Sequence, residues 1–206
     1  MKTIIFDMDG TLLDSKKAIC ESINFTRNRL DLAPLEHDYI MSVINDPAQN
    51  PFIALYGTQS VSAELGAEFM AVYMGNYRKF ALPYPGILDL LKKCKNAGFF
   101  VALASNAPQA SLASIAEFTG LSEFFDFIVG ESERVPHKPD PAMILEVLKN
   151  SKFKKAIFLG DSKKDEFAAK RANIQYLQVS WGMGEFSAGV KNAKTPEQAW
   201  EIIDKF

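Results

Sequence analysis

From Lys16 to Phe80 the chain contains no convincing strand, whereas the segments on either side of that stretch are strand-like or alternate between strand and helix. This interruption narrows the fold more than any other feature. Inside it, apolar residues recur at helical spacing: Ala18, Ile19, Ile23 and Leu30, then Ile40, Val43 and Ile44, then Phe52, Leu55 and Tyr56, then Leu65, Phe69, Val72 and Tyr73. Pro34, Pro47, Pro51 and Gly57 punctuate the pattern, so three or four helices in succession are expected. Before the interruption, Ile4-Ile5-Phe6 reads as a buried strand. After it, Leu82-Pro83-Tyr84-Pro85-Gly86 reads as a linker, and helix then alternates with strand: helix from Ile87 to Ala97 ending at Gly98, strand from Phe99 to Ala104, helix from Gln109 to Phe118, strand from Phe127 to Val129. The alternation continues with a helix from Pro141 to Leu148, a strand from Ala156 to Leu159, a helix from Lys164 to Ala172, a strand from Tyr176 to Val179 and a last helix from Pro196 to Ile203. Such alternation predicts an α/β fold with a mostly parallel sheet and helices on both faces. Residues 1–15 and 82–206 are therefore expected to form one α/β core domain, and residues 16–81 a helical domain inserted directly after its first strand.

Composition narrows the function classes. The 206 residues are 48% hydrophobic, enough for a sizeable core. The formal net charge is −2 and there is no basic block, so the chain lacks the electrostatic footprint of a nucleic-acid or membrane-surface binder. Small, freely diffusing substrates fit better. Cys20 and Cys94 are too few for a disulfide framework or a zinc site, and both fall in helical patterns, which suits buried thiols in a reducing cytoplasm. Asp7 and Asp9 interrupt the first apolar run too early for a secretory signal, and Phe99 to Ala104 is too short to span a bilayer. The expectation is a soluble cytoplasmic protein, monomer or homodimer.

The polar residues at strand ends carry the chemistry. Asp7 and Asp9 leave the first strand on one face, where open α/β sheets place their ligands. Two acids held close repel each other unless a cation sits between them or one takes a proton. The strand from Phe99 runs into Ser105-Asn106, and the strand from Ala156 runs into Gly160-Asp161 with Asp165 one helical turn further on. Lys138 sits in a proline-fixed turn, His137-Lys138-Pro139-Asp140-Pro141. Singly, each has a structural explanation: an acidic turn, helix N-caps, a solvated loop lysine. Together they place three carboxylates, a hydroxyl, an amide and a lysine at one sheet edge. Hard oxygen ligands of this kind suit Mg²⁺ bridging to a substrate phosphate, and phosphoryl transfer needs mainly positioning and charge neutralisation.

Here the chain resembles a known family. Asp7-Met8-Asp9-Gly10-Thr11-Leu12-Leu13-Asp14-Ser15 resembles the first motif of the haloacid dehalogenase (HAD) superfamily, Ser105 the second, Lys138 the third, and Gly160-Asp161-Ser162 with Asp165 the fourth. All four occur in order, so the resemblance covers essentially the whole chain. The site of the helical insertion, Tyr84-Pro85-Gly86, Ala168-Ala169 and Trp181-Gly182-Met183-Gly184 are similar to the phosphoglycolate phosphatase and β-phosphoglucomutase branch, with a Rossmann-like core and a helical cap. The resemblance implies a Mg²⁺-dependent phosphatase of a small phosphorylated metabolite. It implies that Asp7 is the nucleophile that forms an aspartyl-phosphate, and that Asp9 is the acid and then the base. Asp7, Asp161 and the Asp9 main-chain carbonyl would hold Mg²⁺, with Asp165 supporting them. Ser105, Asn106 and the Gly10 amide would hold the phosphoryl oxygens, and Lys138 would neutralise phosphate and nucleophile.

One departure bears on the substrate. Asn45-Asp46-Pro47 stands roughly where the branch commonly has a glycine in the cap loop that meets the substrate. An acid there is unfavourable beside a phosphate ester unless it bonds a hydroxyl or amine or points away, and an ordinary Asn-Asp-Pro turn explains it equally well. His37 and His137 read as surface or supporting residues, and Tyr56, Tyr73, Tyr77 and Phe80 as packing within the helical bundle. Rival functions are a phosphomutase, against which Gly160 stands in place of the usual Glu; a dehalogenase, which lacks the acid at Asp9; a phospho-accepting receiver, which has no such insertion; and a non-catalytic phosphate- or partner-binding module.

Overall fold

Four residues, Thr3–Phe6, form β1, and all four are buried. A strand that is buried on both faces belongs in the middle of a parallel sheet covered on both sides. The structure is a computed structural model that describes residues 1–184 and 186–206. After β1 come β2 (Leu13–Asp14) and four helices, α1 (Lys16–Arg29), α2 (His37–Asn45), α3 (Pro51–Tyr56) and α4 (Ala63–Phe80). Then β3 (Leu82–Pro83) is followed by α5 (Ile87–Asn96), β4 (Phe100–Pro108), α6 (Gln109–Phe118) and β5 (Phe127–Glu131). The chain continues through α7 (Ala142–Asn150), β6 (Ala156–Gly160), α8 (Lys163–Arg171), β7 (Gln175–Val179), β8 (Asn192–Ala193) and α9 (Pro196–Lys205).

Six strands form one sheet in the order β5-β4-β1-β6-β7-β8, and every pairing in it is parallel. The alternation of β1 side chains divides the core. Ile4 and Phe6 join Val101, Leu103, Leu159 and Leu177 on one face, under residues of α5, α6 and α9. Ile5 joins Ala102, Phe158 and residues of α7 and α8 on the other. Phe6 pairs in register with both Leu103 and Leu159, so β1 and β6 end almost level and β4 runs on past them. That common end carries the polar residues.

Two expectations are corrected here. Leu82-Pro83 is more than a linker: Leu82 pairs with Asp14 and Pro83 with Leu13 in an antiparallel two-stranded ribbon, so the entry and exit of the helical stretch are tied together. The Phe99 strand does not stop at Ala104 but continues to Pro108 through a register shift between Ser105 and Pro108, which turns its end towards β5. β8 is two residues long and leaves no periodic signal in sequence. Among the four inserted helices, α1, α2 and α3 share a small core of Cys20, Ile23, Ile40, Val43 and Leu55. α4 differs: its Tyr73 and Tyr77 pack in the large core with Met8, Leu12 and Ile87 rather than within the bundle. Among the described residues no helix is long and apolar enough to cross a membrane.

Candidate active site

Asp7 is the first residue beyond β1, held in place by its N–H, which donates to the Leu159 carbonyl at 2.8 Å. Its Oδ1 accepts from Lys138 Nζ at 2.5 Å. The same ammonium donates to Asp165 Oδ1 at 2.6 Å and to the Ala104 carbonyl at 3.0 Å, so its three protons are all used. Burial works against the Lys138 ammonium, and the carboxylates of Asp165 and Asp7 outweigh it, holding its pKa above the lysine range. Lys138 comes from a loop, and Asn106 fixes that loop: its Oδ1 accepts from the Lys138 N–H at 2.7 Å while its Nδ2 donates to the Lys138 carbonyl at 3.1 Å. Asn106 thereby fixes the loop that carries the lysine, and the second proton of its Nδ2 remains for the cavity that Asn106 lines.

Asp161 follows β6 and lies beside Asp7. Oxygens of Asp7, Asp161 and Asp165 all fall within 4.8 Å of one another, and all three residues are buried. Asp165 Oδ2 accepts from both the N–H and the hydroxyl of Ser162, at 3.0 and 2.6 Å, forming a capping box at the start of α8. With Oδ1 on Lys138, Asp165 is saturated and acts as a support. Burial pushes the Asp7 carboxyl well up, Lys138 pulls it back, and the charges of Asp165, Asp161 and Asp9 raise it further. Burial, and then the Asp165 charge, push Asp161 up to about 7, with the Met183 N–H, the Lys138 ammonium and the Gly184 N–H opposing. Carboxylates that resist ionisation this strongly form a site short of positive charge, and the all-oxygen donor set of Asp7 and Asp161 fits a hard divalent cation.

Asp9 stands apart from this cluster. Its Oδ1 accepts from Ser15 Oγ at 2.6 Å and from Tyr77 OH at 2.7 Å, while Oδ2 has no hydrogen-bond partner among the described residues. Burial raises the Asp9 pKa, and the two hydrogen bonds offset part of the rise. Gly10 has φ of +79°, and a Cβ there would lie 2.1 Å from Asp161 Oδ2, so only glycine lets the two motifs meet. Its N–H donates to the Leu13 carbonyl at 2.9 Å, which takes the Gly10 amide out of the set of phosphate donors expected from the sequence. Ser105 is buried and its Oγ accepts from the Ala107 N–H at 3.1 Å, which leaves its own proton free to donate.

A cavity of about 250 Å³ joins these groups, lined by Asp7, Asp9, Ser105, Asn106, Lys138 and Asp161 and closed on the helical side by Met41, Asn45 and Tyr73. Met41, Asn45, Ser162 and Met183 also line a larger cleft of about 720 Å³, which carries Lys16, Asp38 and Asp46. Asn45 thus reaches both spaces. Asp46 lines the larger one, with its Oδ1 accepting from the Ala48 N–H at 2.9 Å and its Oδ2 from Gln49 Nε2 at 3.1 Å: its carboxylate closes its own turn. His37 and His137 line neither space. Sequence reasoning did not find Tyr77 or the 181–184 loop as contacts of the acids. Met183 N–H donates to Asp161 Oδ2 at 2.8 Å, and a Cβ on Gly182 would lie 1.8 Å from the Gly10 carbonyl oxygen. The repeated glycines at 182 and 184 were the signal for that close approach; Tyr77 gave none beyond its helical spacing from Phe69 and Tyr73.

Comparison with known proteins agrees with this geometry. Residues 4–179 match the family described as haloacid dehalogenase-like hydrolase. A phosphoglycolate phosphatase of Psychrobacter arcticus is 33% identical over 191 residues, covering 87% of this chain and 83% of that one. A phosphoglycolate phosphatase of Aquifex aeolicus is 30% identical over 184 residues, covering 88% and 86%. Among solved structures, a haloacid dehalogenase-like hydrolase from Streptococcus pneumoniae superimposes with a TM-score of 0.80 at 24% identity, covering 98% of this chain and 97% of that one. With the family's pattern spanning most of its length, a relative at this level of identity and the same parallel sheet beneath, the chain belongs to the haloacid dehalogenase-like hydrolases.

Proposed function

We propose that this protein is a Mg²⁺-dependent phosphatase of a small phosphorylated metabolite, similar to phosphoglycolate phosphatase, and that it works through an aspartyl-phosphate at Asp7. One observation carries the reading: the Asp7 carboxylate is buried beside a fully paired Lys138 on one side and Asp161 on the other, with Asp9 presenting a free oxygen to the same cavity. Asp7, Asp161 and the Asp9 main-chain carbonyl would hold Mg²⁺, which when bound neutralises the charge of the phosphoryl oxygens and of Asp7.

In the first half-reaction a carboxylate oxygen of Asp7 attacks phosphorus. The bond to the ester oxygen breaks as Asp9, protonated at Oδ2, gives its proton to the leaving alkoxide. In the second, Asp9 takes a proton from water, the resulting hydroxide attacks phosphorus, and the Asp7–phosphorus bond breaks to release inorganic phosphate. Ser105 donates its free hydroxyl to a phosphoryl oxygen, and Lys138 balances the charge shared between Asp7 and the phosphate. Asn106 fixes the loop that carries Lys138 and offers its second Nδ2 proton to a phosphoryl oxygen. Residues 16–81 act as a cap over a core made of residues 1–15 and 82–206, and Asn45 is the cap residue placed to meet the substrate. Hydrolysis is favoured over phosphomutase chemistry by Gly160, where a Cβ would lie 2.5 Å from the Asp165 Cβ, so the Glu-Asp pair of the mutase pattern has no room.

The test is phosphate release from a panel of phosphorylated metabolites and one aryl phosphate, with and without Mg²⁺, beside Asp7→Asn. Mg²⁺-dependent turnover that disappears in the variant is the expected result. Turnover that survives Asp7→Asn, or none from any substrate, would overturn the proposal.

A further inference from the structure

β7 carries two polar side chains that the reaction above does not use. Tyr176 and Gln178 stand two residues apart, so they leave the strand on the same face, and both reach the turn that follows β6. The Tyr176 hydroxyl lies 2.8 Å from the Gly160 carbonyl oxygen and 3.2 Å from that of Ser162, so its one proton is shared between the two. Gln178 Nε2 reaches the carbonyl between them, that of Asp161, at 3.5 Å, a long and weak bond. Three consecutive carbonyls thus face β7, and the middle one belongs to Asp161.

Packing does not account for the hydroxyl. The Tyr176 ring already packs on Phe158, with centroids 6.3 Å apart, within the core under α7 and α8, and a phenylalanine would fill that place without bringing a polar group there. Burial, and then the charges of Asp165, Asp161, Asp7 and Glu166, hold the phenol well above the tyrosine range, so the hydroxyl stays a donor. β6 ends at Gly160, and Asp161 lies one residue past it. Its carboxylate is held from the other side, where Oδ2 accepts from the Met183 N–H at 2.8 Å. A small hard cation demands ligand distances of about 2.0–2.1 Å in near-octahedral geometry, so a ligand whose backbone can shift binds it less tightly.

We propose that Tyr176 is a positioning residue for the cation site: its hydroxyl, shared between the carbonyls on either side of Asp161, holds that carboxylate where it and Asp7 can meet one divalent ion. This rests on the Mg²⁺ assignment made above, and it adds a residue that touches neither the ion nor the substrate. Partners that hold a metal ligand from behind set its affinity for the metal. A shared hydrogen bond acting through the backbone is a modest one, so its loss reads as roughly 3- to 10-fold weaker Mg²⁺ binding.

The experiment titrates Mg²⁺ alone, without substrate, into wild type, Tyr176→Phe, Tyr176→Met and Thr119→Val in a calorimeter, with thermal unfolding of each. Tyr176→Phe keeps the ring, and Tyr176→Met fills the space with a flexible side chain and decides the matter if the first variant does not fold. Thr119→Val is the control: it removes a hydroxyl that donates to the Ile115 carbonyl at 2.6 Å at the C-terminal end of α6. The Mg²⁺ dissociation constant is expected to rise roughly 3- to 10-fold in both Tyr176 variants and to stay unchanged in the control. In phosphate release, half-saturating Mg²⁺ should rise by the same factor, while excess Mg²⁺ restores kcat and the substrate KM does not move. A lowered melting temperature with Mg²⁺ affinity intact is what a purely structural tyrosine gives, and it would overturn the proposal, as would equal weakening in Thr119→Val. Wild type that takes up no Mg²⁺ defeats the cation assignment and this proposal with it. Wild type that binds Mg²⁺ and releases no phosphate defeats the phosphatase reading alone, and the titrations still decide the role of Tyr176.

Discussion

Tyr77 links α4 to Asp9, the proposed proton donor, and replacing it with Phe isolates that link. The change removes one hydroxyl, which donates to Asp9 Oδ1 at 2.7 Å, and leaves the ring stacked on Tyr73 with centroids 4.4 Å apart. A buried hydrogen bond to a carboxylate contributes about 1.5–3 kcal/mol. Tyr77 donates to the ionised form and so lowers the Asp9 pKa. Losing the bond removes that stabilisation of the ionised form and raises the Asp9 pKa further. The proposed first half-reaction needs Asp9 protonated, so kcat/KM is expected to fall on the alkaline side as Asp9 ionises. Tyr77→Phe should therefore move that alkaline limb to higher pH. At the same time the plateau should drop, because Ser15 alone orients the carboxylate. An alkyl phosphate, whose poor leaving group needs the proton, should show both effects; an aryl phosphate should show them weakly. The assay is the pH profile of kcat/KM for both esters, with thermal unfolding as a control on folding. An unmoved limb, or one displaced to lower pH, would refute the role given to the hydrogen bond.

Two further outcomes follow from the site. The Asp161 carboxyl is pushed from 3.8 to about 7 by burial and then by the Asp165 charge. The folded protein therefore holds this proton more tightly than the unfolded chain does, and the resulting stabilisation is present below about pH 4 and lost as pH rises through 7. Without divalent ions, the wild type should lose stability over that range by up to about 4 kcal/mol relative to Asp161→Asn, measured by denaturant unfolding at several pH values. At pH 7.5, added Mg²⁺ should raise the melting temperature of wild type and not of Asp161→Asn; equal shifts in both would remove Asp161 from the cation site. Gly10→Ala, with φ of +79° and a Cβ 2.1 Å from Asp161 Oδ2, should fold less stably and lose most activity. Retained activity there would show that the first and fourth motifs need not touch.

Much of this was legible because the informative residues lie at strand ends, where local pattern and position coincide. The Ile4-Ile5-Phe6 run, the polar residues after each strand and the helical spacing across 16–80 identify the sheet, the rim and the insertion without any long-range information. What stayed hidden depends on which surfaces meet. Tyr77 and Asp9 are 68 residues apart, and helical spacing places Tyr77 on a buried face without saying which core that face joins. The Gly10 amide reads as a phosphate donor until its bond to Leu13 is seen, and nothing in the sequence says that Asn106 also fixes the loop that carries Lys138. β8 and the β2–β3 ribbon are two residues per strand, too short for periodicity to register. Lys164 was indistinguishable in sequence from its neighbour Lys163, yet one is buried and the other exposed.

The place of β1 between β4 and β6 also bears on how the chain acquires its shape. Thr3 pairs with Phe100 on one side and with Ala156 on the other, so β1 has both its neighbours only once residue 156 and the strand that follows it have been made. Until then Ile4, Ile5 and Phe6 are an apolar edge with no sheet to join, the kind of segment that promotes self-association in a nascent chain. A chain truncated before residue 156 would retain Asp7 and lose the strand that carries Asp161 beside it. Recovery of activity after unfolding should accordingly be the last signal to return, later than helix content, because it requires the most distant strand pairing in the molecule to close.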